Sequence, residues 1–271
     1  MKLAISNIAW RREEEPAVLR QMQAHGVTGL EIAPTAVWPD PLSVTDAELL
    51  RYRRQWEAEG VSIVALQALL FGHPELIVFG DAGVREKTLV HLRAMMRIAE
   101  ALGARVLVFG SPKNRLAAGL EARARDRLAH DFFSAAGAAA AAHGVELCIE
   151  ANPPEYGCDF ITRPAEALKL VQETGVPGFG LHLDTGGMTL TGDPAARALD
   201  DARGAIRHFH ASEPYLAPLG SGAVDHAAFA EGLRRQNYDR WVSVEMRQPP
   251  EGSSLPQIKK ALEYLREQYG N

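Results

Sequence analysis

The sequence predicts a (β/α)8 barrel, and three observations carry that expectation. Short apolar runs recur along the whole chain, each separated from the next by an amphipathic stretch. Five of the junctions hold a glycine (Gly26, Gly60, Gly103, Gly144 and Gly175), each after the last helical-period residue and before a Val or Ala. That is the signature of a left-handed helix end feeding a strand. Stretches such as Asp81–Leu102 and Leu120–His143 are long enough for crossover helices, which makes the strands parallel.

In chain order, strands are expected near Lys2–Ile8, Val27–Ile32, Val61–Leu66, Arg105–Phe109, Val145–Glu150, Gly178–Leu183, Ile206–His210 and Trp241–Glu245. Eight alternating units close naturally into a barrel, whose active site lies at the carboxyl ends of the strands. An open doubly wound sheet competes, but the first strand leads into Asn7-Ile8-Ala9-Trp10 and not into a glycine-rich phosphate loop. Helix starts agree with the count: Thr45-x-x-Glu48 has the form of a capping box, and Asp193-Pro194 places a cap residue before a first-turn proline. Thr162 and Ser254 are further expected caps, and Ala135–Ala142 reads as a helix segment packed closely on its neighbours. The longest irregular stretches, Gln67–Gly80, Gly110–Gly119, Ala151–Arg163 and Ser212–Val224, all follow strands and so fall on one rim. Loops of that size on one rim are where function is expected.

With 271 residues, 46% of them hydrophobic, the chain can build one large core, and residues 1–271 are expected to form a single domain. A net charge of −5 and a pI near 6.0 disfavour a nucleic-acid surface, which needs a basic stripe. The amino terminus turns charged too early for a secretion signal, and no apolar run reaches the roughly 18 residues of a membrane span. The charge favours a small soluble partner, and two cysteines make no disulfide framework, so a reducing, cytoplasmic setting is expected.

Four strands end on a group that is costly to bury unpaired: Glu150 in GVELCIEANPP, Asp184 in GLHLDTGG, His210 in IRHFHASE and Glu245 in WVSVEMR. They fall on consecutive strands five to eight. Each taken alone is as well read as a hydrogen-bonded or ion-paired strand end. Taken together at one barrel mouth they form an oxygen-rich site for one divalent metal. One imidazole with three carboxylates is too hard a set for structural zinc, so Mn²⁺ is expected first, with Mg²⁺ or Co²⁺ next. Alternation along a strand puts Asn152 on the face of Glu150, while His182 and His208 lie one layer below the rim.

The series Glu150, Asp184, His210, Glu245 resembles the xylose-isomerase-like TIM barrel superfamily, particularly the ketose 3-epimerases and hydroxypyruvate isomerases. The resemblance implies that all four bind one divalent metal and that Glu150 and Glu245 also serve as acid and base. It further implies an isomerase or epimerase acting on a small ketose or keto-acid through an enediolate, and a homo-oligomer. The sequence departs from the epimerase pattern at two positions that help grip the sugar there: Gly187 replaces a histidine and Leu216 an arginine. Loop residues are expected to substitute, namely Lys113, Asn114 and Arg115 after strand four, Asn152 and Glu155 after strand five, and Glu213 after strand seven. Trp10, Trp38 and Phe71 offer faces for a sugar or for loop packing. Two other readings stay open: a metal-dependent lyase or dehydratase on an oxidised sugar, and a sugar-binding barrel without turnover. An endonuclease is disfavoured, because the related repair barrels carry additional histidines and a basic groove.

Overall fold

Parallel pairing closes on itself: β1 (Lys2–Ser6), β2 (Gly29–Ile32), β3 (Ser62–Leu66), β4 (Val106–Phe109), β5 (Glu146–Glu150), β6 (Phe179–Asp184), β7 (Ile206–Ser212) and β8 (Trp241–Glu245) each pair with the next, and β8 returns to β1. The computed structural model describes residues 1–222 and 224–270; Ala223, inside the loop expected over Ser212–Val224, and Asn271 lie outside the described residues. The helices are α1 (Glu15–His25), α2 (Pro34–Val37), α3 (Asp46–Ala58), α4 (Ala82–Leu102), α5 (Ala122–Ala142), α6 (Pro164–Thr174), α7 (Thr185–Thr191), α8 (Ala195–Asp201), α9 (His226–Arg235) and α10 (Leu255–Tyr269). Among the described residues, none of the helices is long and apolar enough to cross a membrane.

Strand alternation sorts the apolar side chains into two layers. In β4, Leu107 and Phe109 join the large cluster under the helices, with Phe133, Phe179 and Phe209. Val106 and Val108 point the other way, into a small cluster with Ala4, Val64, Ala65 and Cys148 that Trp241 packs against. This inner cluster fills part of the barrel interior. The upper interior is left to polar groups.

All five junction glycines have positive φ, from +57° to +79°, as their position after a helix requires. Close packing was also expected along Ala135–Ala142, and Gly178 shows how close. Its φ is +80°, and a Cβ there would stand 2.3 Å from the Gly137 carbonyl oxygen and 2.5 Å from the Ala141 nitrogen. Gly178→Ala is therefore expected to destabilise the barrel by about 1–3 kcal/mol from backbone strain alone, before the steric overlap is added. Chemical denaturation at an unchanged m-value checks this.

Three strand ends differ from expectation in ways that matter for the site. β1 stops at Ser6, because the Ser6 hydroxyl accepts from Ile8 N–H and turns the chain into a short 3-10 turn at Asn7–Ala9. β6 and β7 run further than expected, to Asp184 and Ser212, and so place both residues on the ladder. The Thr45–Glu48 capping box forms as expected. Asp193 is not a cap: Pro194 holds that position, and the Asp193 carboxylate accepts instead from Arg163 and Thr191. Thr162 and Ser254 do not cap through their side chains either. Arg163, not Thr162, holds the cap position of α6, where Glu166 accepts from the Thr162 and Arg163 N–H groups; Ser254 holds the cap position of α10 without a side-chain bond, and Glu14 accepts from its N–H.

Candidate metal centre

Ladder register decides which strand-end side chains meet. β6 pairs with β7 as Asp184 opposite His210, and β7 with β8 as Ser212 opposite Glu245. Glu150 ends β5 with His182 as its partner. One ligand atom from each of Glu150, Asp184, His210 and Glu245 lies within 4.8 Å of all the others, at the carboxyl-terminal mouth of the barrel. The four residues named from the sequence thus converge on one point.

Each is held from outside the cluster. Asp184 caps α7: its Oδ1 accepts from Gly187 N–H at 2.6 Å and its Oδ2 from the Ser212 hydroxyl at 2.5 Å. Glu245 Oε1 accepts from the Gln67 amide at 2.9 Å, leaving Oε2 at 3.3 Å from His210 Nδ1. Glu150 is placed by the bareness of Gly110, where a Cβ would stand 2.4 Å from Glu150 Oε2. Gly110→Ala is expected to push this carboxylate off the common point and weaken cation binding by roughly 10-fold or more, as loss of ligand orientation does. Calorimetric titration against the unsubstituted protein checks it.

Three carboxylates and one imidazole in so small a volume carry excess negative charge. Burial raises the Glu150 carboxyl to about 8, with repulsion from Asp184 and Glu245 adding to it. Burial raises Asp184 to about 6, with Glu245 again adding. Burial opposes a charged His210, but the carboxylates of Glu31 and Glu245 outweigh it and hold the ring well above the usual imidazole range. A divalent cation fits this donor set in charge, hardness and number of oxygens.

Beneath the cluster lies a layer whose key member the sequence reading missed. Glu31, in the middle of β2, is fully buried, and its carboxylate meets His210 Nε2 at 3.0 Å and His208 Nε2 at 3.2 Å. His182 and His208, also fully buried, stack at 5.5 Å, and His182 meets His210 edge-on at 4.1 Å. The signal for Glu31 was a lone carboxylate inside an apolar strand, GLEI. Gln67 and Ser212 were missed because each acts only through a hydrogen bond to a distant side chain, Glu245 and Asp184 respectively.

The remaining site candidates disperse. Asn152 stays at the mouth, buried, with its Oδ1 lacking a hydrogen-bond partner among the described residues. Lys113 and Glu155 are exposed on their loops. Glu213 is buried on the opposite side of β7 from His210 and Ser212, where its carboxylate accepts from Gly220 N–H at 3.1 Å and meets His226 at 3.4 Å. In the loop after β4, Asn114 ties the chain to His73 and Leu76 carbonyls, and Arg115 is fully buried. Of the aromatics, Trp10 is core, Trp38 packs on Tyr52, and Phe71 is 69% exposed. At Gly187 a Cβ would meet Asp184 Oδ1 at 3.2 Å and Pro153 at 3.3 Å, so that position is closely walled.

Comparison with known proteins identifies the family of the fold. A ketose 3-epimerase of Arthrobacter globiformis is 31% identical over 90 residues, covering 33% of this chain and 31% of that protein. An L-ribulose 3-epimerase of Mesorhizobium japonicum is 30% identical over 128 residues, covering 46% of this chain and 43% of that protein. The matched segments thus span less than half the length of either relative. A solved structure of an L-ribulose 3-epimerase superposes with a TM-score of 0.84 at 19% identity, over 99% of this chain and 95% of that one, a likeness of fold. The family description xylose isomerase-like TIM barrel matches residues 19–268, and the chain belongs to that family.

Proposed function

We propose that this protein is a divalent-metal-dependent sugar epimerase or isomerase acting on a small ketose or keto-acid. The observation that carries the reading is the convergence of Glu150, Asp184, His210 and Glu245 within 4.8 Å at the barrel mouth. Those four would hold one ion, with Mn²⁺ the first choice because the donors are mostly carboxylate with one imidazole. Bound there, the cation would polarise a substrate carbonyl and acidify the neighbouring C–H.

The chain's own residues then do the proton work. Glu150 and Glu245 stand on β5 and β8, with two strands between them, so they approach a bound sugar from different sides. One removes a proton and the other returns one, which is what inversion at a carbon requires. Gln67 holds Glu245 through one oxygen and leaves the other for this task. Asn152 offers a buried amide to a substrate hydroxyl, and Lys113 and Glu155 offer charged groups from neighbouring loops. We take residues 1–271 as one catalytic domain working in the cytoplasm, a setting that suits two buried thiols, Cys148 and Cys158, outside any disulfide.

The test is solvent-deuterium incorporation across ketoses, keto-acids and 3-keto-glycosides, with and without added Mn²⁺. Metal-dependent exchange at carbon, without loss of a substituent, is the expected result. Stoichiometric elimination would reassign the protein as a lyase or dehydratase, and binding without exchange would make it a sugar-binding barrel.

A further inference from the structure

We propose that Glu31 is a positioning residue for the cation: it holds the His210 ring so that Nδ1 faces the three carboxylates and Nε2 is committed to a hydrogen bond. The inference rests on the metal reading of the site above, and adds a residue to which neither the strand-end pattern nor the family resemblance assigned a role.

The geometry is specific about which nitrogen does what. His210 Nδ1 lies 3.3 Å from Glu245 Oε2 and 4.0 Å from Asp184 Oδ2, on the ligand side. Nε2 lies 3.0 Å from both oxygens of Glu31, on the side away from the mouth. An ionised carboxylate only accepts hydrogen bonds, so the hydrogen on Nε2 is the donor there. With Nε2 carrying that hydrogen, Nδ1 is the nitrogen left to give its lone pair to an ion. A ring without Glu31 could turn over and present the wrong nitrogen.

Two further features pin Glu31 itself. Its Oε2 also accepts from His208 Nε2 at 3.2 Å, so neither oxygen is available to swing toward the mouth. The β2–β3 register shifts between Leu30 and Glu31, and the β6–β7 register shifts between Leu181 and His182. The extra residue is Val64 on β3 and Arg207 on β7, the latter directly before His208, so it is these strands that are re-aimed; Glu31 keeps the inner face by plain alternation, since Leu30 and Ile32 on either side of it belong to the outer cluster. Glu31 would also add negative charge behind His210 to the field that a cation held by the four residues would feel.

Glu31, His208 and His210 are themselves close enough to hold a cation, within 4.8 Å. Their nitrogen–oxygen separations of 3.0–3.2 Å are those of hydrogen bonds, and an ion there would require His210 Nε2 to surrender its bond to Glu31. We therefore assign this triad to orientation.

The experiment titrates Mn²⁺ into metal-stripped wild-type protein and Glu31→Gln, with stoichiometry from elemental analysis and folding from circular dichroism. The expected result is one equivalent in both, with roughly 10- to 100-fold weaker affinity in the variant, as for other outer partners of ligating histidines. Unchanged affinity in a folded Glu31→Gln would overturn the proposal, and so would the loss of a second equivalent, which would make Glu31 a ligand. Should the variant fail to fold, ring-nitrogen NMR of ¹⁵N-histidine wild-type protein titrated with Zn²⁺ decides: perturbation is expected at His210 Nδ1, and perturbation at Nε2 overturns the assignment. A wild-type protein that takes up no Mn²⁺ would instead remove the metal reading on which this one stands.

Discussion

Glu245→Gln is expected to lower solvent-deuterium exchange by on the order of 10²- to 10⁴-fold, the usual worth of one positioned acid or base. The substitution keeps size and shape at the end of β8 while removing the charge and the capacity to carry a proton. Its effect on folding should be small, because Glu245 lies at the mouth with its side chain 15% exposed and outside both apolar clusters. The new amide faces the Gln67 amide, and either one can turn to restore the 2.9 Å hydrogen bond. Since Glu245 is also a candidate ligand, exchange must be measured at saturating Mn²⁺ with bound metal quantified in the same sample. A loss of exchange that tracks metal content alone would leave Glu245 a ligand and nothing more. Full exchange with full metal would remove it from the chemistry. The corresponding Glu150→Gln is expected to abolish exchange from the opposite side, so the two variants should differ in which substrate epimer still exchanges.

The residues that proved legible in the sequence share one property: their roles are fixed by chain-local chemistry. A glycine after a helix, a Thr-x-x-Glu box and a charged group ending an apolar strand all announce themselves within a few residues. Eight strands and the four converging groups followed from these. What stayed hidden depends on partners far along the chain. Glu31 looks like a misplaced charge until closure of the barrel brings it to His208 and His210, about 180 residues away. Gln67 likewise acquires meaning only from Glu245, 178 residues on. Asp193, Thr162 and Ser254 have the residue types of caps, but Asp193 is drawn to Arg163, the α6 cap falls one residue after Thr162, and Ser254 holds its cap position without a side-chain bond. Glu213 follows His210 and Ser212 in sequence, yet backbone alternation turns it outward to His226, away from the four converging side chains.

Cation affinity is expected to rise by about 10²-fold between pH 6 and pH 8, because protons and the ion compete for the same oxygens. The sign follows from the two raised carboxyls. Glu150, raised to about 8, is about one part in a hundred ionised at pH 6 and half ionised at pH 8. Asp184, raised to about 6, contributes a further factor of about two over the same range. His210 acts in the same direction, since a ring held in its charged form must release a proton before it can ligate. Linkage also fixes the behaviour of the metal-free protein. Both carboxyls bind protons more tightly folded than unfolded, so their contribution favours folding below about pH 4 and is lost as pH rises from there to about 6 for Asp184 and to about 8 for Glu150. Added Mn²⁺ should reverse that trend by binding the ionised form. The increase in Tm at a fixed Mn²⁺ concentration should therefore be larger at pH 8 than at pH 6. Proton release on binding, measured by calorimetry in buffers of different ionisation enthalpy, reads the same competition directly. A Tm increase that is equal at both pH values, with no protons released, would mean that the ion does not sit among Glu150, Asp184 and His210.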